Sequence, residues 1–359
     1  MAQDLRGALV GLCNPLLDVV AVVDSELLAE FGLKANDNGV GLTDFQKLLQ
    51  TVTDKYETRL IPGGMGQNTL RGAQLLLPPD TTVFFGAVGQ DESAEQLRAA
   101  TARAGVRTNY MVNPDKPTGS CVVLVTGHSR SIVGDMQAAE TYSFAHTSAP
   151  ENWRCIEAAR VFYTTMFFVE VTPETTLAVA RHAHENGKAF AMNLASTYSV
   201  EQCTQLLTDM MPYTHVLFGN ETEALALAKV LGFGTDDIKQ IAKRAADLPT
   251  AGDKPRLVAI TQGAGSTVVA TGDSNEIRVY TVTPVPGDEI GDTNGAGDAF
   301  VGGFLAQYVQ GEPVDVCVEA GHWLAGQIVR QVGASYPDGA ARFVPSPGFA
   351  PTVEAVKSA

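Results

Sequence analysis

Cysteine is scarce in this chain, and what there is does not pair. Cys13, Cys121, Cys155, Cys203 and Cys317 are odd in number, scattered, and form no CxxC. Reduced thiols are therefore expected, without a disulfide framework. The six histidines include no HExxH and no Cys/His cluster, which argues against zinc. Basic residues are outnumbered, 25 Lys and Arg against 40 Asp and Glu, for a net charge of −15. A general nucleic-acid or membrane-surface binder needs a basic face, so neither partner is expected. No apolar run approaches the roughly 18 residues of a membrane span. The opening MAQDLRGALVGLCN lacks the basic segment and long apolar run of a secretory signal. Asn220-Glu221-Thr222 formally fits a glycosylation sequon, but without a signal no glycan is expected there. Internal repeats and low-complexity tracts are also missing. These absences predict a cytoplasmic location.

What the chain does have is length and alternation. Its 359 residues suffice for a large core, in two domains or in one α/β domain with an insert. The segment ALVGLCNPLLDVVAVVD reads as two strands around a break at Asn14-Pro15. TVFFGAVG (82–89) reads as a strand, and DESAEQLRAATARAG (91–105) as a helix ended by Gly105. PTGSCVVLVTGHSRSIVGDM predicts a hairpin around Gly127-His128-Ser129. From there strands and helices alternate. RVFYTTMFF, KAFAMNL, THVLFGN and KPRLVAITQG read as strands; PETTLAVARHAHENG, VEQCTQLLTDMM, ETEALALAKVLG and TDDIKQIAKRAADL read as helices. Repeated β-α units imply a mostly parallel sheet covered by helices on both faces. The early strands, with short polar connections, are expected to form a small separate sheet. The tail, rich in Pro, Gly and Ala, is expected to be tied to the surface.

Two glycine-rich stretches precede helical patterns. In LIPGGMGQNTLRGAQLLL, Gly63, Gly64 and Gly66 open a helix, but GGMGQN satisfies neither GxGxxG nor a P-loop. In GDTNGAGDAFVGGF, Gly295, Ala296 and Gly297 directly precede Asp298. Free N–H groups at such a helix start converge into an anion site. Asp298 then stands where it would accept a proton from an attacking hydroxyl. It is equally well placed as an N-cap or first-turn acid favouring the helix dipole. Asp18 lies in an apolar surround, where a carboxylate needs a partner or caps a turn.

DTNGAGDAFVGGF resembles the carboxy-terminal signature of the ribokinase-like (PfkB) carbohydrate and nucleoside kinases, and PGGMGQN resembles that family's amino-terminal glycine pair and Asn. GLCNPLLDVVAVVD, FGNETEA, AITQG and AGHWLAGQIVRQVGASYP resemble the adenosine kinase branch of that family. The likeness runs in order from about Val10 to Pro337. It implies a three-layer α/β/α ribokinase-like domain with a mostly parallel sheet (1–15, 64–116 and 142–359) and a small β-rich lid (16–63 and 117–141). It further implies ATP- and Mg2+-dependent phosphorylation of the adenosine 5′-hydroxyl, in purine salvage, by a monomer.

Carried onto this sequence, the resemblance makes Asp298 the catalytic base and Gly295, Ala296 and Gly297 the anion hole. Arg130 becomes the mobile lid arginine that reaches the phosphates. Asp18, Asn68, Gly63 and Gly64 would hold the ribose. Asn14 would contact the nucleoside and Phe167 would stack on the base, with Ile132, Gly134 and Met136 on the lid side. Asn220, Thr261, Gly263, Asn294 and His322 would border ATP, and Glu223 would organise Mg2+ through water. Read from the residues themselves, Phe167 also fits a core position, His322 a helix-packing histidine and Glu223 a helix-start acid. Met65 and Asn38 depart from the family pattern near the purine pocket. A sugar kinase for ribose or fructose shares the DTNGAGD chemistry, and a nucleotide-binding module without turnover is the further alternative.

Overall fold

The structure, a computed structural model, describes residues 4–34, 38–40 (backbone only), 44–127, 129–331, 333, 335–336 and 342–355. Among the described residues fifteen strands follow one another: β1 (Leu9–Leu12), β2 (Leu16–Val22), β3 (Asn38–Val40), β4 (Thr58–Gly63), β5 (Thr82–Gly89), β6 (Arg107–Asn113), β7 (Ser120–Thr126), β8 (Ser129–Asp135), β9 (Val161–Thr165), β10 (Ala189–Asn193), β11 (Val216–Asn220), β12 (Leu257–Thr261), β13 (Thr267–Thr271), β14 (Glu276–Tyr280) and β15 (Thr352–Ala355). They form two sheets. The larger has ten strands in the order β15-β14-β13-β12-β11-β10-β9-β1-β5-β6, and the smaller five in the order β3-β8-β7-β2-β4.

From β12 across to β6 the large sheet is parallel, as the β-α alternation predicts. Such strands are buried on both faces. In β5 all eight residues are buried, with Val83, Phe85 and Ala87 in one apolar cluster and Phe84 and Val88 in the other. The second cluster is closed by helices Ala296–Tyr308 and Val314–Ile328, through Phe300, Phe304 and Val318.

The chain crosses between the sheets at Asn14-Pro15, so β1 and β2, adjacent in sequence, belong to different layers. One face of the small sheet packs Val122, Leu124 and Val133 against helices Ser25–Glu30 and Phe45–Lys55. The opposite face carries a cluster of Leu16, Cys121 and Ala139, with Ile132 and Met136 packed on it. Asp18 shares this face, because it pairs with Cys121, which pairs with Gly134. Arg130 and Ile132, even-numbered on β8, share it as well.

The departures from expectation have local causes. Met166–Val171 is helical rather than a continuation of β9, since a short apolar run such as MFF fits either period. The helix expected over 200–211 is broken at Cys203, which ends Thr197–Gln202 and begins Thr204–Met210. Strands β13, β14 and β15 add an antiparallel edge, and β15 ties down the tail. His128, Val332, Ala334, Pro337 and the side chain of Asn38 lie outside the described residues. Among the described residues all five cysteines are free and no helix is long and apolar enough to cross a membrane.

Candidate active site

In a parallel sheet ligands bind beyond the carboxyl ends of the strands. Asn193, Asn220 and Thr261 mark those ends in β10, β11 and β12. They line a cavity of about 80 Å³ together with Met65, Glu223, Gly297 and Asp298. A larger groove of about 400 Å³ beside Arg160, Lys188 and Lys254 opens at the amino ends of β9 and β10, the wrong end of the sheet for this chemistry.

Gly295 settles how the helix Ala296–Tyr308 begins. It is the N-cap, in the left-handed region at φ 76°, and no side chain caps the helix. Asp298 is therefore not the cap. It lies in the first turn, 8% exposed, and its Oδ2 accepts a hydrogen bond from Asn68 Nδ2 at 3.0 Å. Burial pushes its carboxyl up to about 7; the Asn68 bond opposes this and the negative charge of Glu223 adds to it. A carboxyl poised there exchanges protons near neutral pH. Gly297, beside it, is exposed, and an added Cβ would meet nothing within 4 Å.

The loop before this helix is organised by Asp292, which the sequence reading quoted but gave no role. Its Oδ1 accepts from the Asn294 N–H at 2.7 Å and its Oδ2 from the Gly333 N–H at 2.7 Å. Asp292 also forms an ion pair with Arg130 of β8 in the small sheet. Burial lowers the Arg130 guanidinium while Asp292 opposes that shift. Arg130 is thus held beside the loop that leads into helix Ala296–Tyr308. The spacing Asp292-x-Asn294 is that of an Asx turn, a signal legible in the sequence.

Asp18 stands in mid-strand, paired with Ile61 and Cys121, which removes the turn-capping reading. It is 7% exposed, and burial pushes its carboxyl up to about 7, aided by the charge of Asp298 and opposed by Arg71. Gly63 lies against it: a Cβ there would come within 2.1 Å of Asp18 Oδ1. Gly64, at φ 85°, is the N-cap of helix Met65–Leu75, and a Cβ on it would lie 2.5 Å from the Asn14 carbonyl. The side chain of Asn14 donates to the Phe167 carbonyl at 3.2 Å, while its Oδ1 is buried without a partner. Phe167 is half-buried between the fully buried Met166 and Phe168, so Phe168 rather than Phe167 fills the core.

On the other side of the cavity, Asn220 caps helix Glu221–Val230. It forms a capping box with Glu223, whose Oε2 accepts from the Asn220 N–H at 3.0 Å and Oε1 from its Nδ2 at 2.8 Å. The helix-start reading of Glu223 is realised, yet the residue also lines the cavity with Asp298. Burial pushes its carboxyl up to about 7. Thr261 pairs with Asn220 across β12 and β11, and Gly263 turns the chain beyond it at φ 57°. His322 lies deeper. Its Nε2 contacts Thr267 Oγ1 at 2.8 Å, its ring packs on Phe300 and Phe349, and burial lowers it to about 4. It packs on Phe300, which lines the cavity, and its Nδ1 is buried without a partner among the described residues.

Residues 40–340 match the pfkB family carbohydrate kinases. Adenosine kinase 1 of Arabidopsis thaliana is 38% identical over 339 residues, covering 94% of this chain and 98% of that protein. The crystal structure of Anopheles gambiae adenosine kinase in complex with P1,P4-di(adenosine-5) tetraphosphate superposes with a TM-score of 0.88. It is 41% identical and covers 90% of this chain and 96% of that one. Adenosine kinase from Schistosoma mansoni in complex with 2-fluoroadenosine has a TM-score of 0.89 at 30% identity, over 93% of this chain and 98% of that one.

Proposed function

We propose, for a chain that belongs to the pfkB family of carbohydrate kinases, that it transfers the γ-phosphoryl group of ATP to the 5′-hydroxyl of adenosine. The observation that carries this reading is the buried Asp298 facing the cavity from the first turn of a helix opened by glycine. Its carboxylate accepts the hydroxyl proton as the phosphoryl group transfers, and the N–H groups of Gly295 and Gly297 receive the charge that develops on the phosphate. The Ala296 N–H, expected to join them, already donates to the Thr293 carbonyl at 3.3 Å, because the turn closes on itself there. Arg130, already beside that loop, supplies a cation for the phosphates. The cavity fits Mg2+ held through water. Each oxygen of Glu223 accepts one bond from Asn220, which leaves lone pairs for water ligands. The ion would neutralise charge on the phosphate oxygens. Asn220, Thr261, Gly263 and Asn294 border ATP, with neutral His322 behind Phe300.

The nucleoside sits between the lid and β1. Asp18, Asn68, Gly63 and Gly64 hold the ribose, Asn14 and Phe167 meet the base, and Ile132 covers it. The lid comprises 16–63 and 117–141. Free thiols support a reducing cytoplasmic setting for purine salvage, and we take the enzyme to be a monomer. The test is ATP consumption against a panel of nucleosides and sugars. Adenosine should be turned over far better than ribose or fructose, because base stacking adds binding energy that a bare sugar lacks. Equal kcat/KM for ribose and adenosine would replace this reading with a sugar kinase.

A further inference from the structure

Arg71 has no part in the machinery described so far, yet it lies against the ribose subsite. It projects from helix Met65–Leu75, and its Nη1 donates to the Pro62 carbonyl at 3.1 Å, directly before Gly63-Gly64. Its guanidinium stands 5.6 Å from the ring centroid of Tyr336, whose hydroxyl donates to the Asn68 carbonyl at 2.9 Å. Its Nε is buried without a hydrogen-bond partner among the described residues. A guanidinium withdrawn from water in this way is costly unless nearby charge compensates it. A neutral donor would serve the Pro62 carbonyl equally well, so that bond alone does not account for an arginine.

The compensating charge is at hand. The negative charge of Asp298 reaches Asp18, and two carboxylates so coupled resist ionising together. The ionisable groups facing Asp18 are Cys121 from β7, kept a neutral thiol by burial, Asp298 from helix Ala296–Tyr308, and Arg71 from helix Met65–Leu75. Opposite it, β4 presents Gly63, which brings no charge. We propose that Arg71 is a positioning residue of the ribose subsite: it fixes the Pro62 carbonyl before the glycine turn and sets its positive charge against the Asp18 carboxylate. Asp18 is then held as an acceptor for two hydroxyl donors. The inference rests on the reading that Asp18 receives the ribose.

Adenosine affinity of the full-length protein, measured by calorimetry from about pH 5.5 to about pH 8.5, tests this. Affinity should fall as pH drops and Asp18 takes up a proton. In R71M the acid limb should move to higher pH by about one unit, with roughly fivefold weaker binding at pH 7. R71Q keeps a donor for Pro62 but loses the charge, so it should behave as R71M does and carries the test if R71M does not fold. R71K keeps the charge and should retain the wild-type pH profile. A folded R71Q with an unchanged profile, or R71K as impaired as R71Q, would overturn the proposal and leave Arg71 a brace. D18N separates the two layers of inference. Unchanged adenosine affinity in D18N overturns the ribose reading itself, whereas lost affinity in D18N with normal profiles in the Arg71 variants overturns only the role of Arg71.

Discussion

Two helices that meet at this site both begin on glycine with positive φ and no side-chain cap, and they use the glycine for opposite purposes. At the start of Met65–Leu75 the space beside the glycines is filled by the protein: the Asp18 carboxylate against Gly63 and the Asn14 carbonyl against Gly64. At the start of Ala296–Tyr308 the space beside Gly297 is open. The first turn is small so that the protein can close on its own acid. The second is small so that something else can approach. Asn68 joins the two, rising from the filled turn to donate to Asp298 at the open one.

Removing the proton acceptor from the open turn should have the largest consequence. Asp298→Asn keeps the shape and an oxygen for Asn68, while Gly295 remains the N-cap. A kcat loss of roughly 10²–10⁴-fold is expected, the usual share of general base catalysis. ATP and adenosine affinities should change far less. Steady-state kinetics beside direct binding measurements check this, and near-normal turnover would reduce Asp298 to a first-turn acid.

Adding one methyl group to each turn sharpens the contrast. Gly63→Ala places a Cβ on the Asp18 carboxylate and should destabilise the fold by about 1–3 kcal/mol, as overpacking does, while weakening adenosine binding. Gly297→Ala should fold as well as the wild type or slightly better, because alanine favours a helix more than glycine does. Its Cβ would nevertheless intrude where a phosphate approaches, lowering kcat/KM for ATP by on the order of 10–100-fold. Denaturant melts and kinetics on both variants decide the matter. Equal stability losses would mean that the two turns are alike.

The sequence made one half of this contrast visible. Periodicity and punctuation marked the parallel strands and their helices, because buried β-α units carry strong local signals. GDTNGAGDAF placed Asp298 at a helix start, but cap, first-turn acid and base have the same spelling there; the left-handed Gly295 removes only the first of these. The crowding of Asp18 by Gly63 is likewise a tertiary fact, arising when β2 pairs with β4. Asp292 was within reach as an Asx-turn acid. Arg71 was not: a lone arginine on an amphipathic helix reads as a solvated charge until Pro62 and Tyr336 fold over it. The antiparallel edge went unseen because β13 and β14 follow β12 with no helix between them, which breaks the β-α alternation, and β15 comes from the distant tail.

The smallest expected effect is on stability, and its pH dependence tells a buried acid from an exposed one. The Asp298 carboxyl is raised from the ordinary carboxylate range to about 7, chiefly by burial. Between those two values the folded state holds a proton that the unfolded state has lost, so stability from this group falls as pH rises. The penalty is complete above about pH 7 and absent below the unfolded value near 4. Asparagine resembles the protonated form and escapes the penalty. Asp298→Asn should therefore melt a few degrees higher than the wild type at about pH 8, with the gap narrowing as pH falls toward about 4. Gly297→Ala, which leaves the acid in place, should show no such trend. A pH series of calorimetric melts on the ligand-free proteins checks both expectations. A gap independent of pH would mean that Asp298 is ionised at little cost, and the open turn would then be wetter than its burial indicates.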